Sequence, residues 1–154
     1  MNSHRAPLVA IALLAPVGLL AATYVFVAHS LGYALFCPFA TGCDAVQASP
    51  HAAFFGIPVS FLGMLGFATY IALAIAGLRS APGARWYLHA LLVLSVVEVG
   101  FTAYMAYLQL TVIRAICSWC MLSAGITAVL ALVVLYALLR TEGNPRTSLG
   151  ALPG

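Results

Sequence analysis

The chain has 154 residues, of which 64% are hydrophobic and only 6% charged, for a net charge of +3. A soluble domain carries about 25% charged residues, and the nine charges here cannot cover a water-facing surface. A mean hydropathy of +1.10 also excludes disorder, which needs low hydrophobicity. The six basic residues are all arginines and are scattered, so there is no basic patch of the kind nucleic acid requires. Lipid must solvate most of this protein.

A bilayer core needs roughly 20 apolar residues per helix. Four stretches supply them: about Leu8–Ala28, Phe54–Leu78, Trp86–Leu110 and Ile116–Leu139. The first is longer than the apolar region of a signal peptide and lacks a small-residue cleavage site, so it reads as a retained span, kinked at Pro16. The outer segment after it, from about His29 to Ala53, is too long for a simple linker. Within it, Ser49-Pro50 reads as an N-cap followed by proline at the first helical position, which predicts a short surface helix over Pro50–Phe55. Arg79–Arg85 is a tight inner turn with Pro82-Gly83, and Thr111–Ala115 a tight outer turn. The tail from about 141 to 154, rich in Gly, Pro, Ser and Thr, reads as disordered.

Arginine placement sets the orientation. With the N-terminus inside, the inner segments hold Arg5, Arg79, Arg85, Arg140 and Arg146, and the outer ones only Arg114. Trp86 and Tyr87 then sit at the inner interface and Trp119 near the outer one. Small residues give close-packing faces: Gly56, Ser60, Gly63 and Phe67 in span two, with Gly66 nearby, and Cys117, Cys120, Ala124, Thr127 and Ala131 in span four. The expected fold is an all-α integral membrane protein, a single domain over 1–154 built as a compact four-transmembrane-helix bundle with a short outer surface helix.

This topology, set without the cysteines, puts all four of them at the outer side. Cys117-Ser118-Trp119-Cys120 is a Cys-x-x-Cys at a helix N-terminus, where the dipole and free N–H groups favour a thiolate. Residues i and i+3 on a helix lie within disulfide reach. Cys37 and Cys43 flank Pro38 and Gly42, which permit a turn. A loop pair beside a fixed helical pair is the layout of a thiol–disulfide relay, and in lipid the obvious final electron acceptor is a quinone. Structural disulfides and a four-cysteine zinc site are the alternatives, although five residues between the loop cysteines departs from zinc-knuckle spacing.

The motifs Cys37-x5-Cys43-Asp44-x-Val46, Ser49, Phe55-Gly56-Ile57-Pro58-Val59-Ser60 and Cys117-Ser118-Trp119-Cys120-x-x-Ser123 resemble the bacterial vitamin K epoxide reductase family over about residues 8–140. The resemblance implies that Cys37 accepts electrons from a thioredoxin-fold partner, Cys43 passes them to Cys117, and Cys120 reduces the quinone. It places Ser49 at the quinone pocket, with Phe55 and Ile57 beside it. It implies ubiquinone or menaquinone as cofactor, a periplasmic DsbA-like dithiol oxidase as partner, and a bacterial inner membrane location with both termini cytoplasmic. Many members carry a fused thioredoxin-like domain; none follows in these 154 residues, so the expected partner is a separate protein. Animal members hold an Asn and a Tyr where this chain has Ala52 and Ala124, which favours quinone reduction over epoxide reduction. The other four-helix quinone-linked oxidase family, of the disulfide bond protein B type, has the two cysteine pairs in the reverse order.

Glu98 lies near the middle of span three, where an acid costs about 2.5–3.5 kcal/mol to insert. It shares a stripe with Ser95, Thr102, Met105 and Gln109, which lines the quinone site or a proton path, or serves interhelical hydrogen bonding. Tyr104 and Tyr107 are interface anchors or rings that stack near the quinone. Asp44 caps a turn or raises the neighbouring thiol pKa, and Arg114 lowers a thiol pKa or anchors to headgroups. The four histidines are dispersed without metal-ligand spacing, so no metal is expected.

Overall fold

Lipid offers the backbone no hydrogen-bond partners, so apolar runs close into helices. The computed structural model describes residues 5–39, 42–80 and 85–142. Helix α1 (Arg5–Ser30) leads through an irregular loop to the short helix α2 (Cys43–Gln47) and a 3₁₀ turn (Pro50–Ala52). An antiparallel hairpin of two-residue strands follows, β1 (Ala53–Phe54) and β2 (Ile57–Pro58), with Ala53 opposite Pro58. Then come α3 (Val59–Arg79), α4 (Trp86–Tyr107) with a π-helical extension (Leu108–Ile113), and α5 (Ser118–Glu142). Four helices, α1, α3, α4 with its extension and α5, are long and apolar enough to cross a membrane. The molecule is an all-α, multi-pass membrane bundle.

Helix α1 packs chiefly on α3 and α5, α4 on α5, and the seam between α3 and α4 is the sparsest. The main core joins Leu8, Ile11 and Ala15 of α1 to Phe67 and Tyr70 of α3, Leu91 of α4 and Leu130 of α5. At the end remote from the cysteines, Arg85 Nη2 donates to the Thr141 carbonyl at 3.4 Å, tying α4 to α5. Gly18 lets α3 approach α1: a Cβ there would overlap the buried Phe67 ring.

Several expectations need correction. The surface helix over Pro50–Phe55 is only a 3₁₀ turn, because Phe55 (φ 52°) and Gly56 (φ 81°) take left-handed conformations that turn the chain into the hairpin. The short helix of this segment lies earlier, at Cys43–Gln47. Helix α3 therefore starts at Val59 rather than Phe54, which removes Gly56 from its packing face. The tight turn over Thr111–Ala115 is displaced too: the π-helical extension carries α4 to Ile113, and Arg114 (φ 54°) ends it. Tyr87, near the start of α4, is buried against Gly77. The Pro82-Gly83 turn, and the tail beyond helical residues 141 and 142, lie outside the described residues.

Replacing Gly18 with alanine forces a methyl into the Phe67 ring. Overpacking of a tight core costs about 1–3 kcal/mol, so Gly18→Ala should lower the thermal unfolding midpoint in detergent, and Gly100→Ala, with open space at its Cβ position, should not.

Candidate active site

The loop between α1 and α2 is pinned from three directions. Asp44 Oδ1 accepts from the Leu35 N–H (3.0 Å), the Tyr24 hydroxyl accepts from the Phe36 N–H (3.2 Å), and Trp119 Nε1 donates to the Phe36 carbonyl (2.8 Å). The rings of Tyr24 and Trp119 sit 4.8 Å apart. Asp44 thus fixes the loop backbone, and Trp119 ties it to the head of α5. Cys37 and Cys43 form a disulfide with a Cα–Cα separation of 6.2 Å. Gly42 brings this loop against the segment before α5, since a Cβ there would stand 2.7 Å from the Ile116 nitrogen.

That close approach gathers the sulfurs. Cys43 (1% exposed) and Cys117 (0%) share one apolar cluster with Val25, Ala28, Leu35 and Val46, and Cys37, Trp119 and Cys120 pack against it. Cys117 and Cys120 are free thiols. Gln109 reaches back from the π-helical turn so that its Oε1 accepts the Cys117 N–H at 2.9 Å. Cys117 stands one residue ahead of α5. Its Sγ accepts the Cys120 N–H at 3.4 Å, the first-turn arrangement that favours a thiolate. The Cys117 thiol is held below the ordinary thiol range, above all by the hydrogen bond from the Cys120 thiol, which outweighs its own burial.

Cys120 points elsewhere. It lines a cavity of about 530 Å³ in the open α3–α4 seam, and Cys117 does not. The walls are almost wholly apolar, with Ser60 and Gly66 of α3, Glu98 and Thr102 of α4, and Thr127 of α5 among them; Gln47, Ala52 and Trp119 line it at the cysteine end. This volume falls in the range of small-molecule sites. The Ser60 Oγ is buried without a hydrogen-bond partner among the described residues, so the cavity holds a donor awaiting an acceptor. An apolar slot with an orphan hydroxyl and a thiol fits a flat, lipid-soluble ring bearing carbonyl oxygens.

The four cysteines are thus brought together, and of the residues expected at the cofactor, Glu98 stands in the cavity wall. Ser49, Phe55, Ile57 and Tyr104 do not line it. Ser49 keeps the N-cap position, but its Oγ donates backwards to the Val46 carbonyl (2.7 Å) instead of capping. Phe55 is turned outward by its left-handed backbone and is 92% exposed; Ile57 and Tyr104 also face away from the bundle. Ser95 leaves the Glu98 stripe to accept the Tyr70 hydroxyl (2.9 Å). Ala52 and Ala124, where animal relatives carry Asn and Tyr, both line the cavity. Sequence reasoning missed the tasks of Ser60 and Gln109. An amide in a span eight residues before a cysteine was the available signal.

A thiol held below its ordinary value is ionised to a larger extent at neutral pH. Thiolate absorbance of protein with an intact loop disulfide should therefore rise in a first step below the ordinary thiol range. Thiolate–disulfide exchange at Cys117 should accelerate as pH rises through that step and then level off. Cys120→Ala removes the stabilising hydrogen bond and should move the step upward; a step that does not move contradicts the assignment.

Residues 9–135 match the model of the vitamin K epoxide reductase family. That span takes in the bundle, all four cysteines and the cavity, and the multi-pass chain belongs to this family of membrane thiol/quinone oxidoreductases.

Proposed function

We propose that the protein carries electrons from a dithiol protein outside the membrane, through Cys37–Cys43 and then Cys117–Cys120, to a membrane quinone, and so generates disulfides. The single observation behind this reading is the division of the sulfurs: Cys43 and Cys117 share one buried cluster, while Cys120 alone faces the cavity. Cys37 is half-buried and sits next to the exposed Phe39, which suits it to meet a partner first. The partner is a thioredoxin-fold dithiol protein, and the quinone is ubiquinone or menaquinone. Arginine counts favour both termini on the inner side and the cysteines on the outer one; the family resemblance points to a bacterial inner membrane with a periplasmic outer side, and residues 1–154 act as one membrane domain.

The partner's dithiol reduces the Cys37–Cys43 bridge and leaves as a disulfide. The Cys43 thiolate then attacks Cys117 of an oxidised Cys117–Cys120 pair, expels Cys120, and Cys37 closes on Cys43 to release Cys117. The resulting dithiol, with the loop bridge re-formed, is the arrangement of sulfurs observed. Bound quinone accepts two electrons and two protons. Cys120 delivers the electrons as the Cys117–Cys120 bond forms, Ser60 donates a hydrogen bond to a ring oxygen, and the apolar walls exclude water. Ala52 and Ala124 put no polar side chain where animal relatives have one, which favours quinone over epoxide. A four-cysteine zinc site would need two sulfurs that the loop disulfide already uses.

Thiol trapping tests the relay. Cys120→Ala should accumulate a Cys43–Cys117 mixed disulfide, visible by non-reducing gel and mass spectrometry, and should reduce quinone at no more than background. Absence of that adduct together with retained quinone reduction overturns the reading, and metal in the purified protein with sensitivity to chelators would favour zinc.

A further inference from the structure

The cavity runs deeper than the sulfur chemistry alone requires. Its far part is walled by Glu98 of α4, whose carboxylate packs where Gly66 of α3 leaves room: a Cβ on Gly66 would overlap Glu98 Oε1. Among the described residues, no cation and no hydrogen-bond donor holds this carboxyl. A charged group at this depth is expensive and here has no structural partner to offset the cost. The other titratable groups facing it are Tyr70 of α3, which is within electrostatic reach and donates to Ser95, and Cys120 of α5 across the cavity.

Helix geometry sets the separation. Glu98 lies eleven residues from Gln109, about 16 Å of helix rise. Gln109 holds Cys117, and Cys120 stands three residues, about 4–5 Å, deeper in α5. The levels of Cys120 and Glu98 therefore differ by about 12 Å. A sulfur–carbon contact of about 3.5 Å, a ring with its far carbonyl, about 5 Å, and a hydrogen bond of about 2.8 Å span nearly that length. Shape, depth and chemistry match a ring seated between the thiol and the acid.

We propose that Glu98 is the proton donor for quinone reduction, delivering its carboxyl proton to a ring oxygen while Cys120 delivers electrons, with Gly66 holding open the space the carboxyl occupies. This rests on the cavity being the quinone site. The Cys117–Cys120 bond forms and two electrons pass to the ring. The Cys120 proton goes to one ring oxygen and the Glu98 proton to the other. The Cys117 proton leaves as the bond forms, and Glu98 takes up one proton before the next turnover, so the proton count balances. The net change is quinone plus two thiols to quinol plus one disulfide.

The test uses the full-length protein in detergent with a short-chain ubiquinone analogue. Glu98→Gln keeps shape and should fold. It should lower the quinol-forming rate by about a hundredfold, leave quinone affinity within twofold, and leave Cys43–Cys117 exchange unchanged. The wild-type rate falls as rising pH ionises the acid, and E98Q should lose that limb. Infrared difference spectra on quinone addition should contain a carboxyl C=O band that E98Q lacks. Gly66→Ala, which displaces the carboxyl, should shift the band and slow quinol formation, and Glu98→Asp should restore part of the rate. If E98Q matches wild type in rate, pH profile and spectrum, the proposal is wrong while the relay stands. If wild-type protein reduces no quinone, the reading of the cavity itself fails.

Discussion

A buried amide decides how this site is built. The Cys117 N–H lies where two membrane helices end, too deep for water, and an unpaired donor there costs about 1–3 kcal/mol. Gln109 meets it at 2.9 Å. It does so because α4 does not stop at the end of its regular helix but widens into a π-helical turn before Arg114 closes it. Such π segments re-aim side chains; this one belongs to the strand of logic that holds Cys117 still at the head of α5 while the loop disulfide rests against it. That acceptor fixes the backbone of Cys117 beside the pinned loop pair.

The four spans were legible because lipid imposes a crude rule, and about 20 apolar residues satisfy it wherever they occur. The gathering of four cysteines at one end followed from the same rule, since chain reversals can sit only at helix ends. What sequence could not give was the irregular part. Strands of two residues leave no alternation to detect, and α2 is a single turn whose start coincides with Cys43. Facing direction was also obscure. Helix α4 is apolar nearly all round, so only polar residues marked its inner side; Glu98, Thr102 and Gln109 did so correctly, and Ser95 was drawn off by Tyr70. The resemblance put Phe55 and Ile57 beside the pocket and ring chemistry suggested Tyr104, yet backbone conformation and helix face turn all three outward.

The sparse α3–α4 seam is the counterpart of the tight α1–α3 contact. Gly18 lets Phe67 lock α3 to α1, which leaves α3 standing away from α4 and opens the cavity. Small residues of α3 thus serve two different neighbours. Gly63 brings α3 near Ala22 of α1, and Gly66, one turn on, makes room for the Glu98 carboxyl of α4. Helix association in lipid rests on packing and not on a hydrophobic drive, so a bundle can tolerate such a gap provided its other seams are well filled.

The loop disulfide is lopsided: Cys37 is half-buried and Cys43 is almost wholly enclosed. A nucleophile arriving from water can touch only one end of that bond, so the sulfur it displaces is always the inner one. Attack on a symmetric bridge would release either sulfur with equal chance and half the events would lead nowhere. Burial alone selects which sulfur leaves, and the solvent boundary does the selecting.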